Sequence, residues 1–502
     1  MTTRRDFLKT LAVGTVAAAH RPPVSLRAQD GGSAWNEVPR ILSHIKAPTF
    51  PARAFDITTF GASGNNATDN TDAFRQAVAA CVRAGGGRVV VPAGEFVTGA
   101  IELKSRVDLH LEPGSTIRFT RDTGRYPLVF TRWEGMELMN FSPFIYAFEQ
   151  DGIAITGSGT IDGNADCDHW WPWKGRSNCG WKPGGANQDA DRNRLIAMVE
   201  RGVPVAERVF GPGHYLRPMF IQPYRCTNVL IEGVRLVNSP MWQVHPVLCT
   251  NVIVKDLSLT SDGPNTDGCD PESCRDVLIA NCTFDTGDDC IAIKAGRNAD
   301  GRRVKVPSEN IVIQKCHMKD GHGGITIGSE ASAGVRNVFA EACQLDSPRL
   351  DVAVRIKNNA VRGSLIENIF ARNLEVGQVA QAALAIDFYY EEGDKGPFTP
   401  IVRNVVIEKM RMQKAEYALY LRGFRNAPVR DISLLDCDFG SVAKPNLVEN
   451  VEGLSLRNVR INGRVAPPDA ASAVLGAADP WNPRALRARP SATKVNTLVR
   501  SL

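Results

Sequence analysis

Short runs of alternating apolar and polar residues recur through the middle of the chain, and each opens on Asn or Asp. They read NVLIEGVRLV from residue 228, NVIVKDLSLT from 251, DVLIANCTFD from 276, NIVIQKCHMK from 310 and NVFAEACQLD from 337. Fainter copies follow as NIFARNLEV at 368, NVVIEKMRMQ at 404 and DISLLDCDFG at 431. Alternation with period two is the signature of a strand with one buried face. The openers lie 23, 25, 34, 27, 31, 36 and 27 residues apart, a loosely fixed period that indicates stacked repeats rather than β-sandwich domains. No single repeat can bury its own inward face. The pattern therefore predicts an all-β chain wound as a parallel β-helix, with coils stacked at the strand spacing of about 4.8 Å. The uneven intervals are then loops bulging from the corners.

The cysteines keep the same register. Cys226, Cys249 and Cys274 each precede an opener by two residues, whereas Cys282, Cys316, Cys343 and Cys437 each follow one by six. Such columns read as reduced thiols stacked in the core, where free Cys behaves as a small apolar side chain. That leaves Cys167 and Cys179, in an irregular stretch, as the expected disulfide pair. Upstream of the repeats, a strand followed by an amphipathic helix beginning near Asn70, Thr71 and Asp72 suits a cap on the open end of the stack. Residues 164–215 break the alternation with WWPWK, glycine-rich turns and DADRNRL, and read as a long insertion near the cleft. The β-helix is expected over 54–463, after an export signal (1–28) and a linker (29–53), with a disordered tail over 464–502.

Composition adds limits. Across 502 residues the net charge is +5 and charged residues make up 23%, too mild a bias to indicate nucleic acid as a partner. The start is more specific: Arg4 and Arg5, then Phe7-Leu8-Lys9, then a short apolar run from Leu11 to Ala19. That run is too short for a stable membrane anchor. It resembles a bacterial twin-arginine export signal, so a periplasmic or secreted protein is expected.

The register also gathers chemistry. Asp288 lies twelve residues past its opener, Asp289 thirteen, and His322 twelve past the next opener. Asp267, sixteen past Asn251, falls in the coil before, and Arg355 and Lys357 occupy the coil after, with Ile356 alternating inward. Three carboxylates in one patch repel one another unless they hold a cation or share a proton for acid catalysis. Calcium favours a cage of oxygen ligands, and here basic groups stand alongside. One protonated carboxyl, one ionised carboxyl and room for water are the requirements of glycoside hydrolysis.

At these residues the sequence resembles the polygalacturonases of glycoside hydrolase family 28. NTD (265–267), GDD (287–289), GHG (321–323) and RIK (355–357) match that family's motifs in order, within a resemblance covering roughly residues 54–463. The resemblance implies a right-handed parallel β-helix of the pectin-lyase-like type. It also implies metal-independent, cofactor-free hydrolysis of α-linked galacturonic acid in pectic polysaccharides, with inversion; separately, a monomer is expected. Carried over by motif, Asp288 would be the general acid, and Asp267 and Asp289 would orient and deprotonate water. An inverting arrangement predicts carboxyl separations of roughly 6.5–9.5 Å. His322 would maintain the protonation of Asp288 or bind sugar. Arg355 and Lys357 would hold the substrate carboxylate, and either Tyr389 or Tyr390 would be the cleft tyrosine.

GDDCIAIKAGRN, SPMWQVHPV and GHGGITIGSE resemble the bacterial members that act on chain ends, the exo-poly-α-galacturonosidases. On that likeness Lys294 is a candidate cationic contact, and Trp242 and His245 are candidate sugar-subsite residues. Trp170, Trp171 and Trp173 either wall off one end of the groove or form a packing plug. Hydrolysis of rhamnogalacturonan or xylogalacturonan on the same patch, calcium-dependent lyase chemistry on the same fold, and a non-catalytic carbohydrate-binding β-helix are the competing readings.

Overall fold

The computed structural model describes residues 34–467. The expected export signal and most of the expected tail lie outside the described residues. Thirteen strands stack in one continuous sheet, running from Ala54–Asp56 through Thr227–Glu232, Thr250–Lys255 and Arg275–Ala280 to Val451–Arg457. Every pairing between neighbours in this sheet is parallel, and the inward column Val229, Val252, Val277, Ile311, Val338, Ile369, Val405 and Ile432 keeps register from coil to coil. Two further strand stacks complete each turn, giving a right-handed parallel β-helix, the hand that parallel crossovers take.

The Asn or Asp at each opener has a backbone reason. All eight adopt φ between 55° and 59°, a left-handed conformation that these residues tolerate better than other non-glycine types. Their side chains then form a ladder along the helix axis. Asn251 donates to Asn228 at 2.5 Å, Asn310 to Asp276 at 2.9 Å, Asn337 to Asn310 at 3.1 Å, Asn368 to Asn337 at 3.0 Å and Asn404 to Asn368 at 2.7 Å. The repeat thus encodes a corner and the hydrogen bonds that stack it.

The cysteine columns lie in the core as expected. Cys249 Sγ accepts the Cys226 backbone N–H at 3.4 Å, and Cys274 Sγ accepts that of Cys249 at 3.4 Å. The expected Cys167–Cys179 disulfide is absent, because all twelve cysteines are free thiols. The Cys167 thiol lies against the Asn178 carbonyl and the Cys179 thiol against the Asn178 side chain, so each already has its own neighbour. The helix Thr71–Arg83 buries Ala73, Phe74, Ala77, Val78 and Cys81 against the first coils, in the same core as Val89 and Phe96.

The segment expected as a linker is otherwise. Its described part carries the helix Glu37–His44, and Trp35, Val38, Ile41 and Ile45 pack on an apolar column of the long sheet's outer face that includes Leu230, Ile253 and Phe339. An outward apolar column on an alternating strand needs such a cover, and the polar runs around this segment hid that role. An antiparallel hairpin, Leu128–Trp133 with Met136–Phe141, was also not expected. It packs against the insertion helix Asp189–Glu200 through Trp133, Met136, Leu138, Leu195, Met198 and Val199.

Candidate active site

Three successive corners build the site. In the first, Thr266 Oγ1 donates to the carbonyls of Ser261 at 2.6 Å and Gly263 at 2.7 Å, folding residues 261–267 into a turn that presents Asn265 and Asp267. The same hydroxyl accepts the Gly287 N–H from the next coil at 3.1 Å. A Cβ on Gly287 would fall 2.1 Å from the Gly263 carbonyl, so glycine there lets the two acid-bearing turns stack closely. The third corner brings His322, whose backbone N–H donates to the Asp288 carbonyl at 3.1 Å.

The structure brings Asp267, Asp288 and Asp289 together: each offers one oxygen within 4.8 Å of those of the other two. This is shorter than the separation expected for inversion. Asp267 sits one coil before Asp288 and Asp289, so the coil spacing sets its distance from both. Asp288 and Asp289 are neighbours in sequence, yet a corner, not a strand, carries them, and both side chains reach the same cluster. Their exposures differ, 18% for the Asp288 side chain against 4% for Asp267 and 1% for Asp289. Asp288 is the acid that a ligand in the cleft can reach.

Each acid has its own cation. His322 Nδ1 lies 2.9 Å from Asp288 Oδ1, and Asn265 donates to Asp288 Oδ2 at 3.3 Å. Lys357 donates to Asp289 Oδ2 at 2.6 Å, with Arg355 Nη1 at 3.8 Å from Oδ1. Lys294 donates to Asp267 Oδ2 at 3.4 Å and to Glu330 at 3.3 Å, and lies 4.0 Å from Asp270. Among the described residues, Oδ1 of Asp267 and Oδ1 of Asp289 are buried and accept no hydrogen bond. An acid cluster with two such acceptors is suited to hold a water molecule.

These partners separate the acids electrostatically. Burial, followed by the Asp288 charge, pushes the Asp267 carboxyl up to about 8. Burial also acts on Asp288, but the His322 imidazolium outweighs it and holds Asp288 well below the usual carboxylate range. His322 is raised in turn: burial opposes its charge, and Asp288 more than compensates. In the free site the proton nearest the cleft is therefore carried by His322 against Asp288, and a second resides on Asp267.

The other expected residues divide. Arg355 and Lys357 face the acids while Ile356 enters the core. Tyr390 stands against these cations, with Lys357 Nζ 5.2 Å and Arg355 Cζ 5.6 Å from its ring centre. Tyr389 turns away to Phe424, at 5.0 Å between ring centres, and to Arg422. His245 is fully buried between Gln222 and Glu272, at 2.9 and 2.8 Å, and so lines no sugar subsite. Trp242 lies beneath Lys294, whose Nζ is 4.1 Å from the ring centre, and both are buried. Lys294 is a structural counter-ion behind Asp267, not a surface contact: burial opposes its charge, but Asp270, Glu330 and Asp267 raise its pKa.

The insertion contributes both readings of its tryptophans. Trp170 is a plug, edge-on to Tyr126 and Phe144 at 5.7 Å each. Trp171 does more: its indole N–H donates to the Ser239 carbonyl at 2.9 Å, and its ring lies where a Cβ on Gly263 would come within 2.2 Å. Arg217 adds a second fastening, reaching Gln188 of the insertion at 3.3 Å, the Pro264 carbonyl at 2.6 Å and Asn265 at 2.9 Å. The insertion is thus clamped to the turn that carries Asp267. Sequence reasoning missed Arg217, Asp270, Glu330 and the Glu134–Arg297 pairing at 3.4 Å. Isolated charges outside the repeat motifs gave no signal of their spatial meeting.

The model of the family described as "Glycosyl hydrolases family 28" matches residues 213–457. The structure of a hyperthermoactive exopolygalacturonase from Thermotoga maritima superposes with a TM-score of 0.84 at 45% identity, covering 86% of this chain and 96% of that one. A protein named "Probable polygalacturonase" from Vitis vinifera is 26% identical over 437 residues, 83% of this chain and 81% of its own. An exo-poly-alpha-D-galacturonosidase from Dickeya chrysanthemi is 26% identical over 362 residues, 68% of this chain and 58% of its own.

Proposed function

Since the chain belongs to glycoside hydrolase family 28, we propose that it is an exo-acting polygalacturonase, hydrolysing α-1,4-galacturonosidic bonds from the non-reducing end of pectic chains. The observation that carries this reading is the division of labour among the acids. Asp288 alone is open to the cleft and has His322 behind it, whereas Asp267 and Asp289, in the same cluster, each present one unfilled acceptor. As the glycosidic C–O bond breaks, the proton carried by His322 passes across the 2.9 Å contact to Asp288, which delivers it to the leaving oxygen. A water held by Asp267 and Asp289 attacks the anomeric carbon and yields its proton to Asp289. The reaction is a single displacement with inversion, despite the short spacing of the acids, because the nucleophile is that water. Arg355, Lys357 and Tyr390 hold the carboxylate of the sugar beside the scissile bond.

Exo action is supported by the insertion, which Trp171 and Arg217 fasten beside the turn that carries Asp267, on the side of the earlier coils. Chromatography of products from polygalacturonate tests it: monomer or dimer from the earliest time points, with little loss of viscosity, is expected. Rapid viscosity loss with mixed oligomers, or no release, contradicts it. Export belongs to the same proposal, supported by the Arg4 and Arg5 pair ahead of a short apolar run, and so does a monomeric state. Replacement of both arginines by lysine should retain the protein in the cytoplasm; unchanged export would remove the twin-arginine reading.

A further inference from the structure

The strand Ala382–Asp387, one coil beyond Arg355 and Lys357, leaves a notch in the cleft face. In one column Val352, Ala382 and Tyr417 stack in register; in the next, Arg355, Ala385 and Tyr420 do so. The two alanines withdraw side-chain volume between larger neighbours. The result is a cavity of about 100 Å³ whose lining includes Arg355, Lys357, both tyrosines and Lys444. Tyr417 and Tyr420 meet edge-on at 5.6 Å, and Lys444 Nζ lies 5.3 Å from the Tyr417 ring centre. Glu416 and Asp387 also line the cavity. Glu416 pairs with Lys444, and Asp387 accepts the Tyr389 backbone N–H at 2.9 Å.

We propose that this notch is a second leaving-group subsite, which takes the galacturonate unit one sugar beyond the one held by Arg355 and Lys357. It rests on the polygalacturonase reading above. The notch is continuous with the catalytic cations and lies on the side away from the clamped insertion, where the departing chain must run. Tyrosine rings and alanine methyls form an apolar wall suited to the C–H face of a pyranose. Lys444, 45% exposed in its ion pair, swings from Glu416 to the sugar carboxylate.

The test compares kcat/KM on di- and trigalacturonate for the wild type, Lys444→Gln and Tyr417→Ala. Lys444 is exposed enough that its replacement leaves the fold intact, and thermal unfolding checks Tyr417→Ala. The trimer-to-dimer ratio of kcat/KM should fall about 10-fold in each variant, the worth of one charged or stacking contact. An unchanged ratio, or an equal loss on both substrates, overturns the subsite alone. A wild type that cleaves neither oligomer overturns the parent reading, and the subsite with it.

Discussion

His322 Nδ1 lies 2.9 Å from Asp288 Oδ1, and the same two residues are joined again by a backbone hydrogen bond of 3.1 Å. The double link fixes the imidazole behind the one acid open to the cleft. Each partner shifts the other in the direction of an ion pair, Asp288 down and His322 up. Activity and the stability of this pair should therefore persist below the ordinary histidine value of 6.5 and fade as pH rises through the raised value of His322. His322→Ala should lower kcat by about 10²-fold and move the alkaline limb of the pH–rate profile toward acid. A lower kcat with an unmoved profile would reduce His322 to packing.

Asp267 is held in a form that costs stability. Its carboxyl ionises at about 8 when folded against a reference of 3.8. Between those values the unfolded chain releases a proton that the folded one keeps, so stability falls as pH rises across that range. Asp267→Asn removes this penalty. It should abolish measurable hydrolysis while stabilising the fold at pH 7 by about 1–2 kcal/mol. Thermal unfolding at pH 5 and pH 7 reads the effect, and destabilisation at pH 7 would contradict it.

Trp171 ties the insertion to the turn bearing Asp267. Trp171→Ala should loosen that end of the groove, so that mid-chain cuts appear and viscosity falls faster for each reducing end formed. A pure loss of stability, with product pattern unchanged, would mean that the insertion does not set exo action.

With every cysteine a free thiol, reductant should leave the unfolding temperature unchanged. Thiol titration of the denatured protein should count twelve. Ten would restore a disulfide.

Much of this architecture was legible in the sequence because a parallel β-helix repeats its own instructions. The Asn and Asp openers mark corners that need positive φ, and counting from them puts Asp288 and His322 in one column. The register could not show depth. Lys294, Trp242 and His245 lie in stretches that resemble chain-end-acting members, yet they are buried behind the acids, because the alternation that turns a side chain outward does not say what later covers it. Tyr389 and Tyr390 were inseparable for the same reason: a loop, not a strand, orients them. The helix Glu37–His44, the hairpin at 128–141 and the Arg217 clamp were invisible, since each depends on contacts between segments with no shared pattern. The short spacing of the acids escaped the motif reading too, because it is a property of stacked coils rather than of the catalytic residues.

The central claim is that water, held by Asp267 and Asp289, displaces a leaving group protonated by Asp288 in one step. Proton NMR of the earliest product from polygalacturonate, recorded before mutarotation, tests it most directly. The β-anomer of galacturonic acid, formed by inversion at an α-linkage, is the predicted result. First appearance of the α-anomer would mean a covalent intermediate on one of the closely spaced carboxylates, and would contradict the account.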